Sequence, residues 1–182
     1  MKLSSYFSST LIIIVIASCT LRESPQQPQS DVGTQPHLKV VTLDDKIKIV
    51  MGQTIYVPIY SHIYYENQQK VLDLSATLSI RNTDLTNPMI ITSVRFYNTQ
   101  GKLIKQYLER PVELGSLAST DFVVERTDTS GGSGANFIVE WIAEKEVSEP
   151  VVEAVMISAA SNQGISFVSP GRIIKNHGNR LP

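Results

Sequence analysis

A glycine-rich segment at residues 127–136 comes nearest to catalytic chemistry in this sequence. Its centre reads GGSGA and loosely resembles a nucleophile elbow, a sharp turn that exposes a serine between a strand and a helix. Residues 123–126 favour the strand, but the residues after the loop favour a second strand instead of a helix. A serine nucleophile also needs a histidine to take its proton, and His62 is the one candidate outside the expected tether and tail. We therefore expect no enzymatic activity, and a hydrolase that uses Ser133 and His62 is the alternative.

The same loop has two non-enzymatic interpretations, a flexible connection between strands or a recognition loop. Its glycines expose backbone N–H groups, and short polar side chains surround them. Loops carried on a rigid β-scaffold are common binding surfaces. The candidate binding residues are therefore the small and polar members of this loop: Asp128, Gly131, Gly132, Ser133, Gly134 and Asn136.

Metal and cofactor chemistry has little support in the sequence. The three histidines are far apart, and no His or Cys pair has the spacing of metal ligands. Asp121, Glu125 and Asp128 offer oxygen atoms but lack the spacing of a known calcium loop. A net charge of −1 argues against nucleic acid, because nucleic-acid binding normally needs a basic surface. We expect no metal, no cofactor and no nucleic-acid partner.

The single cysteine, Cys19, predicts a covalent modification. Residues 11–17 form an apolar run that is too short to span a bilayer as a helix. With Lys2 before it, this run is typical of an export signal. The run leads into Ala-Ser-Cys at residues 17–19, which resembles the lipobox of bacterial lipoproteins, where the cysteine thiol takes a diacylglyceryl group. Two or more acyl chains give stable membrane anchoring. An ordinary secreted protein or an uncleaved N-terminal anchor is the alternative.

These interpretations divide the chain into four parts. Residues 1–18 are expected to be a lipoprotein signal peptide, and residues 19–37 a lipidated cysteine with a flexible tether rich in Pro and Gln. Residues 38–170 are expected to form one β-sandwich domain, and residues 171–182 a basic, solvated C-terminal tail. One cysteine excludes a disulfide within one chain.

The domain must be built from strands, because apolar and polar residues alternate along much of it. The clearest run alternates leucine, alanine and isoleucine with polar residues between residues 72 and 81. Trp141 is expected in the core, alternating with Phe137 and Val139, and the tyrosines of residues 56–65 are expected to serve sheet packing more than recognition. The pattern predicts an all-β, antiparallel, immunoglobulin-like sandwich of about nine short strands. The candidate strands are residues 38–43, 47–51, 54–60, 72–81, 90–97, 103–108, 120–126, 136–143, 151–160 and 165–168.

Three segments occur in an order that resembles a family of short bacterial lipoproteins containing a domain of unknown function. They are YVPIYS at residues 56–61, LSIRNTD at residues 78–84 and GGSGANF at residues 131–137. The resemblance implies an exported single domain and no particular activity. The second segment and the SVRFYN strand after it are also similar in pattern to immunoglobulin-like sandwiches, a likeness of fold that carries no function.

From these observations we expect a membrane-anchored lipoprotein, exported and held at the cell membrane or the outer membrane. Its function is expected to be non-enzymatic binding or interaction with the cell envelope. The partners would be the membrane, reached through the lipid anchor, and an envelope protein or a glycan. A serine-dependent hydrolase and a purely structural envelope component are the alternatives.

Overall fold

The alternation of apolar and polar residues produces strands throughout the described part of the chain. The computed structural model describes residues 38–43, 47–159 and 164–178, which belong to one compact unit, Thr34–Pro182. These residues contain no helix. Their strands are β1 (Lys39–Val40), β2 (Met51–Pro58), β3 (His62–Tyr65), β4 (Lys70–Asp73), β5 (Ser75–Arg81), β6 (Met89–Tyr97), β7 (Leu103–Gln106), β8 (Val112–Leu114), β9 (Ser119–Val124), β10 (Asn136–Ala143), β11 (Val151–Ser158), β12 (Ile165–Pro170) and β13 (Arg172–His177).

Two antiparallel sheets enclose the core. The large sheet has the order β1-β8-β6-β10-β2-β13, with β7 also paired to β6. The small sheet has the order β12-β11-β5-β9, and β3 and β4 form a separate hairpin. This arrangement confirms the predicted all-β fold class of an antiparallel sandwich.

The core draws on alternate residues of both sheets. Phe137, Val139 and Trp141 of β10 are fully buried, as predicted. Leu78 and Ile80 of β5 join the same cluster from the small sheet. The period-two pattern therefore identifies the inner faces of these two strands correctly.

A β-bulge in β6 changes which residues of that strand face the core. Glu140 lies opposite Ser93, whereas Trp141 lies opposite Ile91, so Thr92 is the extra residue. An extra residue reverses the alternation beyond it. Ile91 and Val94 are consequently both fully buried, although simple alternation assigned them to opposite faces.

Several predicted strands have different bounds in the structure. Residues 51–58 form one strand where two were predicted. The predicted strand at residues 72–81 is divided at Leu74, whose N–H donates to the Ser61 carbonyl at 2.9 Å. The predicted strand at residues 38–43 is limited to β1, and β3 and β8 were not predicted.

The prediction of a solvated tail from residue 171 is wrong for residues 172–177. These residues form β13, which pairs with β2 and extends the large sheet to His177. Ile173 and Ile174 have high β-propensity, and the edge of β2 offers them hydrogen-bonding partners. Gly171 permits the passage between sheets, because an added Cβ would lie 2.6 Å from the Ile55 Cγ2 atom.

The connections between strands gather at two ends of the sandwich. We call one end the loop end; it carries the β2–β3 connection, the β6–β7 turn and the β9–β10 loop. We call the other end the base; it carries the β5–β6, β8–β9 and β10–β11 connections. Lys39 lies opposite Glu113, which lies opposite Ile90 near the base. Tyr97, at the loop end, is roughly 20 Å further along β6. The chain therefore enters the sandwich near the base.

Candidate functional site at the loop end

Thr99, in the turn between β6 and β7, holds the glycine-rich loop. Its N–H and its hydroxyl donate to the Gly131 carbonyl at 2.9 and 3.0 Å, and its hydroxyl oxygen accepts the Gly134 N–H at 2.9 Å. At Gly132 an added Cβ would lie 2.6 Å from the Thr99 Oγ1 atom, and φ is +76°, a region that favours glycine. The glycines thus let the loop pass closely over Thr99, and hydrogen bonds fix its path.

Gly131 is buried where the loop meets the connection between β2 and β3. An added Cβ there would lie 2.6 Å from both the Phe96 Cζ and the Ser61 Oγ atoms. The Ser61 N–H donates to the Gly132 carbonyl at 3.0 Å. The buried Ser61 hydroxyl has no hydrogen-bond partner among the residues that the structure describes. Close packing on Phe96 and Ser61 is therefore the second restraint on the loop.

Asp128 organises the first half of the loop. Its carboxylate accepts the Ser130 N–H at 3.1 Å and also the Ser130 hydroxyl. Burial, followed by the negative charges of Asp128 and Glu125, raises the pKa of Tyr107 to about 12. The Tyr107 hydroxyl donates to the Val123 carbonyl at 2.9 Å. Asp128, a predicted site residue, thus stabilises the loop through its contacts with Ser130.

Ser133 and Asn136 are the predicted site residues with half-exposed side chains toward the end of the loop. Asn136 begins β10, opposite Pro58 on one side and Tyr97 on the other. Because the next residue, Phe137, faces the core, Asn136 faces the outside of the large sheet. The loop surface therefore continues onto this outer face beside Tyr97.

The β3–β4 hairpin, which follows directly from Ser61, adds exposed tyrosines. Tyr64 is 50% and Tyr65 46% exposed, so about half of each side chain faces solvent beside the loop. The hairpin turn contains three consecutive non-glycine residues with positive φ, residues 66–68. Such conformations cost free energy and cluster at functional sites. The density of tyrosine in residues 56–65 was the available signal for this surface.

His62, the alternative catalytic base, lies at the start of the same hairpin. Its Nε2 atom is 3.0 Å from the Tyr64 hydroxyl oxygen, and the two rings are in an edge contact at 5.0 Å. Within the described residues, the side chain that bonds the His62 ring is therefore that of Tyr64. The structure thus brings the hairpin to the loop through Ser61 and joins His62 to Tyr64, not to Ser133.

A buried polar side chain, Asn82, connects the segments of the base. Its Nδ2 atom lies 3.0, 3.2 and 2.9 Å from the carbonyl oxygens of Asn87, Leu114 and Gly115, so these three acceptors share the two N–H groups of the amide. Its Oδ1 atom accepts the Asp84 N–H at 2.9 Å. Asn82 is only 2% exposed, so these bonds satisfy backbone groups that the loops would otherwise leave unpaired.

Asp84 extends this network. Its carboxylate accepts the backbone N–H groups of Asn87, Thr86 and Ser148 at 2.8, 2.9 and 3.0 Å. These hydrogen bonds stabilise the charged form and lower the pKa of Asp84 from 3.8 to about 2. Asn82 and Asp84 drew notice in the sequence through the family resemblance alone, and the structure gives them a structural role.

The predicted lipidation site, Cys19, and the predicted tether lie outside the described residues. Within the part that is described, no three His, Cys, Asp or Glu side chains are grouped so that they could hold a metal ion. None of the described segments forms a helix with the length and apolar character needed to cross a membrane.

Residues 52–174 match a family described as "Protein of unknown function (DUF3124)". The matched region contains both the loop end and the Asn82–Asp84 network. No curated protein matches the chain. A solved structure titled "Crystal Structure of Thermotoga maritima 1070" is 12% identical, with a TM-score of 0.40, over 66% of this chain and 92% of that chain.

Proposed function

The chain belongs to the DUF3124 family, whose function is unknown, and we propose that it is a non-enzymatic binding module, anchored to a membrane through lipid on Cys19. The partner, an envelope protein or a glycan, contacts the loop end. The family match agrees with the predicted resemblance to a domain of unknown function, and the anchor and the binding role are our proposal.

The fixation of the glycine-rich loop by Thr99 is the observation that carries this proposal. A free loop with three glycines would lose much conformational entropy on binding a partner. Here the hydrogen bonds between Thr99 and the carbonyl of Gly131 and the N–H of Gly134 already fix the loop in the folded protein. A loop that is ordered in advance binds at a lower entropic cost.

The side chains around this loop have the chemistry of a recognition surface. Tyr64 and Tyr65 are exposed on the hairpin, and Tyr97 lies beside Asn136 on the large sheet. Tyrosine combines a large contact area with one hydrogen-bonding group at a small entropic cost. Ser133 and Asn136 add short polar groups at the end of the loop, which suits a partner with mixed polar and apolar surface.

The direction of the chain is compatible with an anchor at the N-terminal side. The chain enters the sandwich near the base, where β1 pairs with β8, and the loop end lies at the other end of β6. An anchor before β1 would therefore leave the loop end accessible to a partner. The hydrogen bond between His62 and Tyr64 supports the non-enzymatic interpretation, because it engages the histidine that the sequence offered as the base for Ser133.

Site-specific photo-crosslinking in intact cells tests the binding role. A photoreactive residue at Tyr64 is compared with one at Leu85, which is 75% exposed at the base. We expect a discrete crosslinked species from position 64 and none from position 85. The proposal fails if position 64 gives no species beyond those of position 85.

A second variant separates binding from hydrolysis. Ser133→Ala should preserve the crosslinked species and the cellular role. The change removes one half-exposed hydroxyl from the loop, and substitutions of this kind usually have small effects. If the folded Ser133→Ala protein loses its cellular role while it keeps the crosslink, the hydrolase is favoured.

A further inference from the structure

Strand β12 forms an edge of the small sheet with little of the usual protection. No charged residue lies between Glu153 and Arg172 in the sequence, and β12 is the terminal strand of its sheet. Ile165 is 39% and Val168 is 55% exposed. Proteins normally protect free edges with charges, prolines or bulges, and β12 has only Pro170, at its last position.

The edge strands β9 and β13 are both protected. On β9, at the opposite edge of the small sheet, Asp121 faces outward. On β13, at the edge of the large sheet, Arg172 and Lys175 are exposed and a bulge interrupts the register. The uncharged edge of β12 is therefore a distinct feature of this surface.

The backbone groups that β12 offers to a neighbour follow from its pairing with β11. The Gly171 N–H donates to the Val152 carbonyl at 2.8 Å. Because hydrogen-bonded residues alternate along an antiparallel pair, the N–H and C=O groups of Phe167 point toward β11. Those of Ser166 and Val168 point toward the free edge.

The sheet surface beside this edge is also apolar. Val168 lies opposite Val155, which lies opposite Thr77 on the next strand. Ile157, two residues along β11, is 48% exposed. Glu153, on the same face of β11, lies opposite Pro170 at the end of β12. A strand that paired beside Ser166 and Val168 would therefore continue a surface of apolar and hydroxyl side chains.

We propose that two copies of this chain pair through β12, antiparallel, about a two-fold axis at Phe167. Ser166 of each copy then exchanges both backbone hydrogen bonds with Val168 of the other. An axis at Val168 would instead set Ser166 against Pro170, which has no N–H to donate. A second copy is the occupant that the edge favours, because two neutral strands meet without repulsion and homo-oligomers are usually two-fold symmetric.

The expected association is weak. Pairing through one strand of six residues buries less than the roughly 1,200 Å² of a stable protein interface. A covalent trap in cells is therefore the suitable measurement, since it captures a transient pair.

Cysteines at positions 166 and 168 provide this trap in the full chain. Opposite residues in an antiparallel pair have Cα atoms about 5.5 Å apart, within the range of a disulfide. The control carries Ser119→Cys and Val123→Cys, on the outer face of the other edge, and keeps Asp121 between them. We expect a severalfold larger covalent dimer fraction from Ser166→Cys with Val168→Cys. Equal fractions from the two pairs would overturn the proposal, as would a β12 crosslink to a different protein.

Ser166→Pro tests the predicted hydrogen bonds. This change removes an N–H that points away from β11, so the fold should be retained while the pairing is lost. A photoreactive residue at position 165 reports the dimer, and the fluorescence of buried Trp141 reports the fold. An undiminished dimer in the folded proline variant would contradict the pairing through Ser166.

Discussion

Replacing Asn82 by alanine should destabilise the domain far more than a single hydrogen bond would suggest. The side chain bonds three carbonyl groups and one N–H, and it is 2% exposed. A buried polar group left without its partner costs about 1–3 kcal/mol. The bonds to the Leu114 carbonyl and the Asp84 N–H are buried, whereas those to the Asn87 and Gly115 carbonyls are partly buried. We therefore expect a loss of about 2–4 kcal/mol in the free energy of unfolding.

Urea unfolding measures this loss, with Trp141 as the reporter. Trp141 is the only tryptophan and is fully buried, so its fluorescence follows the exposure of the core. Thr83→Ala is the matched control, because the neighbouring hydroxyl makes one exposed bond, to the Glu149 carbonyl at 2.7 Å. Its loss should cost about 0.5–1.5 kcal/mol.

Asn82→Asp makes the test more specific. Aspartate keeps an oxygen for the Asp84 N–H but has no donor, and its charge lies against three carbonyl oxygens. It should therefore destabilise the domain more than alanine does. If Asn82→Ala costs no more than Thr83→Ala, or if Asn82→Asp is the milder change, the assignment of Asn82 as the donor that organises the base is wrong.

Three other changes test separate parts of the molecule. Cys19→Ser removes the thiol that would take lipid, so the protein should leave salt-washed membranes in a fractionation experiment; retention would contradict the anchor. Gly132→Ala should lower the free energy of unfolding, measured with urea, by about 1–3 kcal/mol. Gly101→Ala should cost less, because φ there is +75° but no atom lies within 4 Å of the added Cβ. Equal losses would exclude the predicted collision with Thr99. The pKa of Asp84 is about 2 in the fold against 3.8 ordinarily, so its carboxylate stabilises the fold above pH 3.8 and this contribution is lost as the pH falls toward 2. Asp84→Asn should therefore reduce the fall in the urea midpoint between about pH 4 and pH 2, and an unchanged slope would refute this linkage.

The inner face of β10 could be predicted from the sequence because it depends on local alternation. Phe137, Val139 and Trp141 follow each other at intervals of two, and any partner sheet would bury them on one side. The bulge at Thr92 could not be predicted, since it depends on how β6 aligns with β10. The strand at residues 172–177 was missed for the same reason, because its partner, β2, is distant in sequence and local composition suggested a solvated end.

The proposed binding surface was predicted in part. The glycine-rich loop was identified by its composition, and its glycines do adopt a path that side chains would obstruct. The role of Thr99 could not be predicted, because its hydroxyl meets Gly131 across 32 residues of sequence. The exposure of Tyr64 and Tyr65 could not be predicted either. Alternation along a short strand does not show whether a second sheet packs on that strand.

The position of β2 in the large sheet restricts the order in which the protein can assemble. Its two hydrogen-bonded neighbours are β10 and β13, which begin at Asn136 and Arg172. While ribosomes are still synthesising the first half of the chain, β2 has neither neighbour. The large sheet therefore cannot form progressively from the N-terminal side, and its closure depends on β10 and β13, which follow β2 only much later in the sequence.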